Sequence, residues 1–217
     1  MALKTRKKSF LADAEWKTLP WKWHPKTIKD TLLDILADTT ELLEDLDAHN
    51  ACSNPDDKEW RRAGLAEKCW LLDSALVAWQ ALSMPTLAGL DKQAVTASTD
   101  FVSAEALAAA HTLTLYSTTC LIVYTTLAAV VEPYVMMPAR TNLKTHCRDI
   151  LSDVSIFFHR AVGTFRAHLS TLPIAVVLAV INMAGLGAME EERRLLMGIL
   201  ARPEAAGIGR LLQSMQA

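Results

Sequence analysis

The stretch that most constrains this chain runs from Ala104 to Val131. Between Glu105 and Glu132 lie 26 residues without a formal charge, and Pro133 follows them. The stretch is rich in Ala and Leu and contains neither Gly nor Pro. It is far too long for a strand and reads as a helix of about seven turns, apolar enough to be buried on most sides. At 100° per residue, His111, Thr114, Thr118 and Thr125 share one stripe, and Leu113, Ser117, Cys120 and Tyr124 fall roughly opposite. A stripe of hydroxyls and an imidazole asks for polar partners or a small polar cavity. Thr hydroxyls that bond back to carbonyls of the preceding turn are the more economical account.

By length alone the stretch could cross a bilayer. Its His111, seven Ser or Thr hydroxyls and two Tyr argue against that, as does the lack of a basic cluster after it. Pro173–Met189 is shorter and is interrupted by Asn182 and two Gly. We therefore expect no membrane association.

A chain of 217 residues with 51% apolar and 21% charged residues is long enough for a substantial core. Ala and Leu abound and alternating β-branched runs are scarce, so the expected class is all-α. The expected fold is a single-domain bundle of about six to seven helices around the buried central helix. Residues 1–24 form a basic, Trp-rich segment and 25–217 the helical domain. A net charge of −2 offers no general attraction to nucleic acid. Charge is nevertheless uneven: residues 1–30 hold eight Lys or Arg against three acids, and residues 31–60 hold nine acids against one Lys.

Met1–Phe10 is basic and no apolar run with a cleavage site follows it, so we expect no secretory leader and an intracellular protein, cytoplasmic or nuclear. Cys52, Cys69, Cys120 and Cys147 are far apart, form no C-x-x-C pair and suit reduced thiols better than a zinc site. Lys4, Arg6, Lys7 and Lys8 read as a solvated terminus, with nuclear import or a nucleic-acid backbone contact as the sharper alternative. Trp16, Trp21 and Trp23 are costly to leave wet, so the segment should lie across the domain.

Helical spacing places a first helix from about Pro25 to His49, with Ile28, Leu32, Ile35, Leu36, Leu42, Leu43 and Leu46 on its apolar face. Its Glu41, Glu44, Asp45 and Asp47 read as a solvated face rather than a metal or diphosphate site. A second helix runs from about Pro55 to Ser83, with Leu65, Cys69, Leu72, Leu76 and Trp79 inward, and Met84-Pro85 ends it. Residues 87–103 form a polar connection, and Ser103 caps the central helix. A fourth helix spans about Arg140 to Arg160. Its His146, Asp149, Asp153 and Arg160 share one side, but a single helix offers too few convergent ligands for a metal. A fifth runs from Pro173 to Met183, and Glu190–Leu200 and Pro203–Gln216 are short terminal helices. The three Glu at 190–192 suit a helix N-terminus. No phosphate-binding loop, dinucleotide fingerprint, nucleophile elbow or H-E-x-x-H is present. We expect no metal and no cofactor.

Taken in order, several segments resemble the C-terminal regulatory domain of fungal zinc-cluster transcription factors. They are Trp23-His24-Pro25 leading into 32–47, then 65–80 ending in LVAWQ. ALAAAHTLTLYSTTCL at 106–121 follows, then ILSDVSIFFHRAVGTFRAHLSTLPIAVV at 150–177. The resemblance covers about residues 20–200. It implies an all-α domain with a nuclear regulatory role and control by a small molecule or a protein partner. The six closely spaced Cys of the family's DNA reader are missing, so direct DNA reading in the family's way is not expected. Where the family commonly has Trp after the Tyr of its central helix, this chain has Ser117. That exchange could open a cavity next to Leu113, Cys120 and Tyr124.

Three functional readings follow. In the first, the chain is a stand-alone regulatory domain that acts through a ligand or through a dimer, with itself or with related factors. In the second, it is an enzyme of secondary metabolism that binds an apolar polyketide- or terpenoid-like metabolite and promotes cyclisation or isomerisation without a cofactor. In the third, it is an inert fragment. For the enzyme, His111 and Tyr124 are the candidate proton donors or acceptors, and Leu113, Ser117, Thr118 and Cys120 the candidate pocket lining.

Overall fold

The structure is a computed structural model that describes residues 2–87, 103–132, 134–159, 162–163, 165–185 and 187–208. The class is all-α, and no strand occurs among the described residues. The chain divides into two compact units, one of residues 1–83 with 122–141 and the other of residues 84–121 with 142–217.

The first unit begins with short helices α1 (Ala2–Thr5) and α2 (Ala14–Thr18), each followed by a 3-10 turn, Phe10–Ala12 and Leu19–Trp21. Helix α3 (Ile28–Ala51) starts after a capping box: Thr27 Oγ1 accepts from Asp30 N, and Asp30 accepts from Thr27 N. The box satisfies two otherwise orphaned amides, which sets the start at Ile28 rather than at Pro25. Of the expected apolar face, Leu32, Leu36, Leu42 and Leu46 are buried, while Ile28, Ile35 and Leu43 are only half-buried.

Helix α4 (Pro55–Leu87) is capped by Asn54, whose Oδ1 accepts from Asp56 N at 2.9 Å. Leu65, Cys69, Leu76 and Trp79 are buried on it as predicted, while Leu72 is only half-buried. The Trp79 indole N–H donates to the Ile28 carbonyl at 2.9 Å and ties α4 to the start of α3. The helix does not stop at Met84-Pro85 but carries Pro85 inside. Pro85 removes one amide within the last turn, so little of the hydrogen-bond ladder is at stake.

The predicted central helix is α5 (Ala104–Val130). Residues 122–130 belong to the first unit, where Arg62 Nη1 donates to the Val130 carbonyl at 2.8 Å. Residues 104–121 belong to the second. Ser103 caps the helix as expected: its Oγ accepts from Ala106 N at 3.0 Å.

The second unit also holds α6 (Leu143–Phe157), α7 (Phe165–Met183) and α8 (Glu190–Leu200). Their core joins Ala110 and Leu121 of α5 to Ile150, Val154 and Phe157 of α6, Ile174 and Ile181 of α7, and Leu196 of α8. Asn142, not Arg140, starts α6, because its side chain accepts from Lys144 N at 3.0 Å. Helix α7 begins at Phe165 and takes Pro173 inside, although the sequence reading opened it at Pro173. The turn before Pro173 has its own support, since the Ser170 and Thr171 hydroxyls donate to the Arg166 and Ala167 carbonyls. Gly185, at φ +79°, turns the chain in the left-handed region beyond α7.

Helices α5 and α7 are both long and apolar enough to cross a membrane by length and composition. In the most apolar window of α5, 72% of residues are buried inside the protein, against 33% for α7. The expected connection at 88–102, the stop at Pro133, Arg160 and the last stretch of the terminal helix at 209–216 lie outside the described residues.

Candidate functional site

The candidate residues on α5 divide between the units. His111, Leu113, Ser117, Thr118 and Cys120 lie in the second unit and Tyr124 in the first. His111 is half-buried and meets the Phe157 ring edge-on, with centroids 6.0 Å apart. Thr114 donates to the Ala110 carbonyl and Thr118 to the Thr114 carbonyl, each at 2.7 Å. Two of the four stripe residues, Thr114 and Thr118, are therefore satisfied by their own helix. Ser117, Thr118 and Cys120 are buried and Leu113 is half-buried. The Thr125 hydroxyl is buried and has no partner among the described residues.

Tyr124 enters a polar node built from three separate parts of the first unit. Asp73 sits in the inward stripe of α4, between Cys69 and Leu76, and is 3% exposed. Its Oδ1 accepts from the Tyr124 hydroxyl and from Arg140 Nε, each at 2.9 Å. Its Oδ2 accepts from Arg140 Nη2 at 2.7 Å. Burial alone would raise the Asp73 carboxyl, but the bonds from Arg140 and Tyr124 outweigh it and hold the group below the usual carboxylate range. The same pairing raises the Arg140 guanidinium further above its ordinary value. Tyr124 is 2% exposed and its hydroxyl already donates to a carboxylate, so the node is a closed tie rather than an open acid–base pair. The sequence reading singled out neither Asp73 nor Arg140. A carboxylate inside an apolar stripe was the available signal for Asp73. Arg140 had none, because only folding brings it there.

The first unit also holds a groove where the N-terminal segment lies along α3. Its volume is about 640 Å³, and its lining is mainly Phe10, Leu11, Trp16, Trp21, Leu33, Leu36 and Ala37. Lys8, Ser9, Asp30, Asp34 and Thr40 supply the polar groups. Phe10 and Trp16 pack edge to face with centroids 5.3 Å apart, yet they remain 60% and 51% exposed. The segment does lie along α3, but it leaves two of its three indoles exposed: Trp16 at 51% and Trp23 at 87%, while Trp21 is half-buried.

Charge holds the segment instead. Arg6 forms a two-pronged pair with Asp47, Nε–Oδ2 at 2.8 Å and Nη2–Oδ1 at 2.7 Å. Lys7 Nζ and the Lys8 amide bond Glu44 at 3.1 and 2.8 Å. Lys8 Nζ lies 3.1 Å from Glu41, and the Ser9 amide donates to Thr40 Oγ1 at 2.8 Å. Thus the chain walks back along α3, from Asp47 to Thr40, as it advances from Arg6 to Ser9. Arg6 adopts φ +51° at the start of this walk. The basic run is therefore not a loose terminus, and the acids of α3 are not merely solvated. Lys68 of α4 bonds Glu41 and Asp45 at 2.8 and 2.5 Å and completes the network. Both partners were visible in the sequence as opposite charge blocks, but pairing across roughly 40 positions is not a helical periodicity.

In the second unit, Arg148 bonds Glu192 at 2.7 Å and Glu191 at 2.5 Å, and Glu192 is 1% exposed. The Cys69 and Cys147 thiols are each pushed up to about 12, chiefly by burial. Among the described residues, no group of three or more His, Cys, Asp or Glu side chains is placed to hold a metal ion. Comparison with protein-family models, with curated proteins and with solved structures finds no match to this chain.

Proposed function

We propose that the chain is a non-catalytic binding module of regulatory type, which takes an apolar small molecule in the groove between its N-terminal segment and α3. The groove carries this reading. Its volume of about 640 Å³ suits a metabolite-sized ligand, and its lining is aromatic and aliphatic with a few polar groups. Phe10, Leu11 and Trp16 expose apolar surface at its margin, which a ligand would cover. The resemblance to regulatory domains of fungal zinc-cluster factors supports the same class, as a ligand-responsive domain without its own DNA reader. The enzymatic alternative drew on Tyr124 and His111. The Tyr124 hydroxyl is engaged by Asp73 and is shielded from solvent, which favours binding over proton transfer.

A thermal-shift screen against neutral apolar metabolites tests the proposal. Binders should raise the melting temperature of the native chain, and Ala37→Trp, which fills the groove floor, should abolish the shift. Binders that act equally on the Ala37→Trp variant would move the site elsewhere. Turnover of any binder would restore the enzymatic alternative.

A further inference from the structure

We infer that the groove selects an apolar organic cation, an amine or quaternary ammonium on a hydrophobic body, an inference that rests on the binding reading above. The charges around the groove do not cancel uniformly. Lys8, the cation in the lining, is met by Glu41 at 3.1 Å and Asp13 at 3.6 Å. Asp34 is met by Lys26. Asp30 is different: its hydrogen bonds come only from the amide and hydroxyl of Thr27, at 3.0 and 2.6 Å, and both reach Oδ2. Asp30 Oδ1 therefore accepts no hydrogen bond among the described residues, and Lys29 and Lys26 act on this carboxylate only through space, without a contact pair. A wall carboxylate that no ammonium touches favours a ligand that brings a single positive charge into contact with it.

The aromatic side adds the same preference. Ring faces attract cations through their quadrupole, and Trp21 already does so in the folded chain. The Lys26 ammonium sits 5.7 Å from the centroid of the Trp21 ring while it pairs with Asp34. The chain thus displays, with its own lysine, the combination of indole and carboxylate that an external ammonium would use. Trp16 and Asp30 line the same groove, and Trp16 is half exposed there.

Three probes that share a phenylbutyl body and differ only in their head group test this at fixed ionic strength by titration calorimetry: 4-phenylbutylammonium, 4-phenylbutanol and 5-phenylpentanoate. The ammonium should bind about fivefold tighter than the alcohol, and the carboxylate most weakly. Asp30→Asn keeps an acceptor for Thr27, so the fold and the alcohol affinity should persist while the ammonium preference disappears. Trp16→Ala should weaken all three probes. Equal binding of ammonium and alcohol, or tightest binding of the carboxylate, would overturn cation selection and leave the groove reading intact. Ammonium preference that survives Asp30→Asn would overturn it as well. Failure of all three probes to bind at millimolar concentration would defeat both readings.

Discussion

Asp73 and Arg140 meet as a two-pronged pair, Nε to Oδ1 at 2.9 Å and Nη2 to Oδ2 at 2.7 Å, although 67 positions separate them. The carboxylate is buried, while the guanidinium side chain is 46% exposed. Removing the carboxylate takes from the buried Tyr124 hydroxyl the acceptor it donates to, whereas Arg140 can turn to water. We expect Asp73→Ala to cost about 2–4 kcal/mol and Tyr124→Phe about 1 kcal/mol. Urea unfolding of the three proteins measures both. A loss below about 0.5 kcal/mol for Asp73→Ala would show that the tie holds nothing.

The same carboxyl makes stability depend on acid. Its folded pKa lies below the unfolded value, so its contribution is present above the ordinary carboxylate range. It fades as pH falls through the folded pKa. Wild type should therefore exceed Asp73→Asn in stability at pH 7 and converge on it toward pH 3. Urea midpoints across that range decide the matter, and a gap that widens in acid would contradict the sign.

Thiol reactivity should follow burial. Cys69, Cys120 and Cys147 are buried, and Cys52 is half-buried. A thiol held near 12 presents almost no thiolate at neutral pH. We expect a disulfide reagent to label Cys52 first in the native protein and all four thiols in urea. Peptide mapping that finds fast labelling of Cys69 or Cys147 would mean those helices open readily.

Ser117 tests the pocket expected beside the middle of α5. The residue is 5% exposed, and the groove described in the first unit is lined by other residues. Ser117→Trp should overpack the site and cost about 1–3 kcal/mol, which a lower melting temperature would reveal. An unchanged melting temperature would instead mean that hidden space exists there.

Hydrogen exchange reads the charge-held segment. The Lys8 and Ser9 amides donate to Glu44 and Thr40 side chains, so exposed residues should exchange more slowly than their position suggests. Thr40→Val should quicken exchange at Ser9. High salt should quicken it at Lys8, because exposed ion pairs are screened. Exchange at the rate of a free peptide in low salt would show that the segment is not held.

The all-α class, the buried helix at 104–130 and its Ser103 cap were legible because each leaves a local mark: apolar length, absence of breakers, a small polar residue at the start. Pro85 misled because it sits in the last turn of α4, where one missing amide costs little, and Pro173 because it lies in the middle of α7, in a turn that the Ser170 and Thr171 hydroxyls brace. Thr114 and Thr118 were legible as self-satisfied hydroxyls from chemistry alone. The Asp73 node and the clasp between Arg6 and Asp47 were not, because such partners are chosen by tertiary proximity, which no periodicity encodes. For the same reason the groove escaped attention. Its walls come from a Trp-rich segment and a helix face that each looked complete when taken separately.

The walk of Arg6, Lys7 and Lys8 along Asp47, Glu44 and Glu41 has a consequence for how the chain meets a trypsin-like protease. Such an enzyme must grip an extended backbone on both sides of a basic residue, with the side chain free to enter its pocket. Here the basic side chains are already held by α3, and two of the backbone amides are in use. The most basic stretch of the chain is thereby a poor substrate while the clasp is closed. Each cut that does occur reports a moment when the clasp was open. Cleavage after Lys8 would release the run as a peptide and leave the acidic row on α3 facing solvent, so the first nick would be self-limiting in place but irreversible in charge.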